Sequence, residues 1–182
     1  MTLPLSYFGS PILREVAKPI TEFTPEVEKL GKDMIATMRE EIGIGLAGPQ
    51  IGKSLRIFVM DIPLDMDTDE DGQPYNPFLK GPLVVINPEI EALDELDEES
   101  EEGCLSIPDI KGKVFRPFSI ELKFQDVKGE PQEMKLSGLA ARCVQHEHDH
   151  LNGILFIDYL SSVKKMSIKG KLKRIKQQYN LT

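Results

Sequence analysis

Tryptophan is absent, and the 182 residues include only two cysteines and three histidines. Two cysteines cannot frame a chain of this length with disulfides, so a reduced, cytoplasmic protein is expected. No run of about 18 apolar residues occurs, so no membrane span is expected. The opening Met1-Thr2-Leu3-Pro4-Leu5-Ser6 lacks a basic stretch followed by an apolar run, which argues against a secretory signal. Internal repeats are also missing.

Charge of one sign is missing locally. Residues 61–102 carry fifteen acids and a single base, Lys80. Residues 161–182 carry seven bases (Lys164, Lys165, Lys169, Lys171, Lys173, Arg174, Lys176) and no acid. The net charge is −8. An acidic flank cannot hold a polyanion, whereas the basic tail can; the plainest reading of both is solvated surface. Specific recognition of DNA is not expected.

What is present suits a globular α+β protein, with 40% hydrophobic residues and one domain expected over 1–182. The N-terminus reads as loop to Phe23. Thr24-Pro25 opens a helix over 25–41, on which Val27, Leu30, Met34 and Met38 share a face. Gly43-Ile44-Gly45 ends it. Short strands are expected at 57–60, 83–87 and 154–157. Residues 65–82 read as an exposed loop, and Asp94, Glu95, Asp97, Glu98 and Glu99 as a second exposed stretch. Phe118, Ile120, Leu122 and Phe124 alternate with polar residues, the clearest strand signal. Lys128-Gly129 turns the chain into a partner strand through Met134 and Leu136. Ser137 is placed to cap a helix running to Leu151, with Asn152-Gly153 as its stop. A basic C-terminal helix is expected over about 161–179, with Ile168, Leu172, Ile175 and Tyr179 as its apolar stripe. The expected architecture is mixed or antiparallel sheets packed around the 137–151 helix, with helices at both ends.

All three histidines fall within His146-Glu147-His148-Asp149-His150. On a helix, His146 and His150 project from one face and can share a metal ion, with Glu147 beside them as a general base. His148 lies about 200° round from His146 and points elsewhere. Leu139, Cys143 and Leu151 give this helix an apolar side. A catalytic site needs a third protein ligand and an open position. Metzincins take that ligand from a histidine six residues on, where this chain has Phe156, and other zincins take a downstream Glu. Downstream of His150 the only acid is Asp158, so a zincin-like metallopeptidase lacks its third ligand. Upstream, Cys143 and Cys104 are both available, and each also reads as an inert buried thiol. A closed metal site in a non-catalytic binding module would need a fourth ligand, and only three credible ones are found.

Three segments together resemble the signature motifs of peptide deformylases. They are Gly43-Ile44-Gly45-Leu46-Ala47-Gly48-Pro49-Gln50, Glu102-Gly103-Cys104-Leu105-Ser106 and Gln145-His146-Glu147-His148-Asp149-His150-Leu151. Order and spacing agree, and the similarity runs through Ile157. The resemblance implies an enzyme that removes the N-formyl group from formyl-methionyl nascent peptides, with one divalent metal ion on Cys104, His146 and His150. That ion is usually Fe2+ in the family, with Zn2+, Ni2+ or Co2+ able to replace it. It also implies Glu147 as acid and base, with Gln50 and the Leu105 N–H as oxyanion donors. A methionine pocket is implied near Ile44, Glu102, Leu139 and Cys143, with substrate backbone contacts at Gly45 and Gly103. Ribosome contact through the basic C-terminal helix is a further implication. Gly48 stands where the family usually has Ala, which is expected to loosen the loop carrying Gln50. The 65–82 loop is longer than in many members.

Overall fold

Most of the alternating run at 118–124 lies inside the larger of two sheets, with Phe118 just before the strand and only half-buried. In the computed structural model, which describes residues 2–94 and 97–181, this sheet has five strands. In spatial order they are β1 (Gly45–Ala47), β2 (Ile57–Met60), β3 (Leu83–Ala92), β6 (Ser119–Gln125) and β7 (Pro131–Ser137). Every pairing in it is antiparallel. Ile120, Leu122 and Phe124 are buried, as a period of two requires. Gly129 turns β6 into β7 with φ +84°.

α1 (Pro25–Glu40) lies on this sheet through Met34 and Met38, both fully buried, and through Gly31 against Val84. Each such methionine side chain contributes about 1.5–3 kcal/mol by leaving water. α2 (Gly138–Leu151) runs centrally, packed on β1, β2 and β7 on one side and on β5 (Ile107–Pro117) on the other. α3 (Ser162–Gln178) covers β5 with Ile168 and Ile175, and the Tyr179 ring stacks on Tyr7 at 3.5 Å.

Three expectations differ from the structure. The acidic stretch is a strand for most of its length: β4 (Asp97–Cys104) pairs with β5 as a second, two-stranded sheet. Its exposed acids face bases across the ladder, with Glu99 on Lys113 at 2.8 Å, so charge that reads as loop instead pairs strands. Asp94 precedes this strand, and Glu95 lies outside the described residues. Residues 154–157 form no strand; a 3-10 turn spans Phe156–Tyr159, held by the Leu155 N–H donating to Asp158. Ser137 sits at the N-cap of α2, but its hydroxyl meets that of Ser119 instead. The Leu139 N–H donates to Asp67 Oδ1 at 2.7 Å, so the 65–82 loop supplies the acid at this helix start.

Candidate metal and active site

Three segments converge at one end of α2. The helix contributes Cys143, His146, Glu147 and His150. β1 and the 3-10 turn Gly48–Ile51 contribute Gly45 and Gln50. The end of β4, where the pairing with β5 shifts register between Gly103 and Cys104, contributes Glu102, Gly103, Cys104 and then Leu105. The N-terminal segment clips two of these together, since the Ser6 N–H donates to Gln50 O and the Phe8 N–H to Ser106 O.

Cys104 Sγ and one ring nitrogen each of His146 and His150 lie within 4.8 Å of one another. The sulfur is 3.2 Å from His150 Nε2. His146 Nδ1 is 3.0 Å from Glu102 Oε2, which leaves Nε2, on the Cys104 side, available to a metal ion. A thiolate with two imidazoles is a donor set that suits iron, zinc or cobalt. His148 is turned away, against Arg56 and Asn152. Phe156, standing where a metzincin would place a histidine, is buried with its ring 6.1 Å from that of His146.

Glu147 is 4% exposed, and its Oε2 has no hydrogen-bond partner among the described residues. Burial pushes this carboxyl up to about 7, with His146 opposing the shift and Glu102 adding to it. Its approach to β1 depends on Gly45: a Cβ there would collide with the Glu147 carboxylate and come within 2.8 Å of Cys143 Sγ. Gln50, 1% exposed, accepts from the Ala47 N–H through Oε1 at 2.7 Å. That bond fixes the amide orientation and turns Nε2 toward Cys104 Sγ (3.4 Å) and Ser106 Oγ (3.3 Å). Gly48 does not loosen this turn. A Cβ there would sit 2.7 Å from Leu55 O and 2.9 Å from Lys53 O, so glycine lets the 53–55 segment close on it.

Both Glu102 oxygens are engaged. Arg116 donates to both, Arg142 donates to Oε1, and His146 meets Oε2. Burial works to raise this carboxyl, but the hydrogen bonds from His146 and Arg116 outweigh it and hold the pKa at about 2. Arg116 also reaches Asp149 Oδ2 at 2.9 Å, so a buried charge network passes behind the two histidines. Burial pushes the Cys143 thiol well above its ordinary range, with Glu147 adding to the rise. This thiol therefore stays protonated while it lines the pocket.

A cavity of about 790 Å³ opens here. Ile44, Gly45, Gln50, Glu102, Gly103, Cys104, Leu105, Leu139, Cys143, His146 and Glu147 all line it; His150 sits behind Cys104. The 65–82 loop borders the cavity through Met66. Sequence reasoning misses Arg116, Arg142, Asp149, Ser106 and Asp67. Only the first carries a local signal, an arginine at an inward position of an alternating strand.

A sequence model of the polypeptide deformylase family matches residues 2–166. The chain belongs to the polypeptide deformylase family. A peptide deformylase of Salinibacter ruber is 42% identical over 176 residues, covering 96% of this chain and 89% of that protein. The crystal structure of peptide deformylase from Thermotoga maritima is 43% identical with a TM-score of 0.78, covering 88% of this chain and 99% of that one. The peptide deformylase structure from Thermus thermophilus has a TM-score of 0.84 at 35% identity, covering 98% and 99%. The α+β fold is thus that of solved peptide deformylases. Most of α3 lies beyond the stretch matched by the family model.

Proposed function

We propose that this deformylase hydrolyses the formamide of N-terminal formyl-methionine on newly made polypeptides and releases formate. The observation that carries the reading is a thiol and two imidazoles gathered within 4.8 Å, beside a buried carboxylate with an unpartnered oxygen. Cys104, His146 and His150 would hold one divalent ion. We assign Fe2+ as its physiological identity, with Zn2+, Ni2+ or Co2+ able to replace it. Such an ion supplies Lewis acidity and brings the pKa of water toward about 7.

Glu147 takes a proton from the attacking water and returns it to the leaving amine nitrogen. A carboxyl titrating near neutrality is suited to both transfers. Gln50 Nε2 and the Leu105 N–H donate to the oxygen on which negative charge develops. Glu102 holds His146 through Nδ1 and closes the methionine pocket with Ile44, Leu139 and Cys143. The peptide main chain lies as an added strand between the Gly43–Gly45 and Gly103 edges, which tolerates varied sequences beyond the first residue.

A metallopeptidase reading is not favoured, because the third donor stands upstream at Cys104. Chain-wide packing, including α3 on β5 through Ile168 and Ile175, supports one functional domain over 1–182. We place its action in the cytoplasm, where nascent chains emerge. The seven bases of α3 are all exposed, which supports contact with ribosomal RNA; salt-insensitive co-sedimentation with ribosomes would remove that assignment.

Formate release from a formyl-methionyl peptide, measured on anaerobically purified protein, tests the activity. The wild type should turn over, and Glu147→Gln should keep its metal while losing about 10²–10⁴-fold in kcat. Full activity in that variant would remove Glu147 from its role.

A further inference from the structure

α1 ends in a Schellman motif: the Gly43 N–H donates to Met38 O and the Ile42 N–H to Arg39 O. The residue that must turn left-handed in this motif is Ile42, at φ +58°. Glycine or asparagine ordinarily fills this position, because a β-branched side chain is strained there. The glycine stands one residue later, at 43, where a Cβ would strike Leu105 Cδ1 at 2.8 Å.

Packing does not explain the isoleucine. Its side chain is 93% exposed, so burial returns nothing for the strain in the free protein. It does line the same cavity as Gly45, Cys104 and Glu147. Three residues of chain separate it from Gly45, a reach of at most about 11 Å. An extended peptide rises about 3.3 Å per residue, so Ile42 lies within range of the second and third residues of a bound chain.

We propose that Ile42 is a specificity-determining residue that favours apolar side chains at the second or third position of the formyl-peptide substrate. The inference rests on the proposed deformylase reading. Strained geometry at a functional edge is where such a cost persists. The neighbouring Glu41 and Glu101, which also line the cavity, would repel acidic side chains, so the contrast to measure is leucine against asparagine.

The experiment compares formyl-Met-Leu-Ala with formyl-Met-Asn-Ala, and formyl-Met-Ala-Leu with formyl-Met-Ala-Asn, on wild type and Ile42→Asn. In one of the pairs the wild type should prefer leucine by about 3–10-fold in kcat/KM, carried by KM, as partial burial of one apolar side chain warrants. In Ile42→Asn the ratio should fall to about one. Its Tm should rise by about 2–4 °C, because asparagine accepts the left-handed turn. A merely structural residue would shift Tm without changing the ratio. A leucine preference that survives in Ile42→Asn, or is absent from the wild type in both pairs, overturns the proposal. Failure of the wild type to deformylate any of the four peptides would instead overturn the reading of the site.

Discussion

At the scale of single residues, orientation decides what each side chain can do. Gln50 illustrates this: its Oε1 is committed to Ala47, so only the NH2 end is left for its proposed role as an oxyanion donor. Gln50→Ala should therefore cost about 2.7–4 kcal/mol in transition-state stabilisation, read as a loss of kcat in formate release; unchanged kcat would remove it as an oxyanion donor. His148 gives a test of pH dependence. Burial lowers its pKa to about 4, with Arg56 adding to the shift, so the folded protein binds fewer protons than the unfolded chain between that value and about 6.5. Its contribution to stability is complete above about 6.5 and is lost as pH falls toward 4. Urea unfolding across this window should show a flatter acid limb for His148→Gln than for the wild type, and identical limbs would contradict the assignment. The H-E-x-x-H spacing makes the proposed ligand pair legible, whereas Cys104 as the proposed third ligand becomes legible only through a second motif far away in the chain. The partnership of Arg116 on β5 and Arg142 on α2 with Glu102 on β4 is not legible, because it joins three elements that lie far apart in the chain.

At the scale of elements, the clearest sequence patterns correspond to real elements and the disguised ones are hidden. The alternation of Ile120, Leu122 and Phe124 and the α1 stripe translate into β6 and the inward face of α1, while Phe118 falls just outside the strand. β5 is obscured because two of its inward positions hold Gly112 and Arg116 rather than apolar residues. Glycine at 112 makes room for the buried Leu160 side chain, whose Cδ2 would lie 2.5 Å from a Cβ there. The start of α2 depends on a residue about seventy positions away in sequence, and Ser137, the local candidate, is otherwise engaged. Asp67 is buried, accepts from the Leu139 N–H, and receives Asn76 Nδ2 at 2.6 Å. Asp67→Ala should destabilise the protein by about 1–2 kcal/mol, seen as a lower urea midpoint at constant slope. An unchanged midpoint would mean that the 65–82 loop does not secure this helix.

At the scale of the whole molecule, separate parts of the chain supply the pocket walls and one helix, α2, carries most of the residues proposed for the chemistry. α2 lies between the large sheet and the β4–β5 ribbon, so packing on both sides fixes the direction of His146, Glu147 and His150. The buried ions Glu102, Arg116, Arg142 and Asp149 join the ribbon to that helix. Removing one partner of such a network leaves a buried charge uncompensated, at a cost of about 3–5 kcal/mol. The acidic ribbon edge and the basic outer face of α3 account for the uneven charge distribution along the chain. The proposed chemistry depends most on the joining of Cys104 to the two α2 histidines around one ion. X-ray absorption at the metal edge of the zinc-loaded protein tests this most directly. The prediction is one sulfur at about 2.3 Å and two imidazole nitrogens at about 2.0–2.1 Å. A first shell with no sulfur, or with only one imidazole, would contradict it.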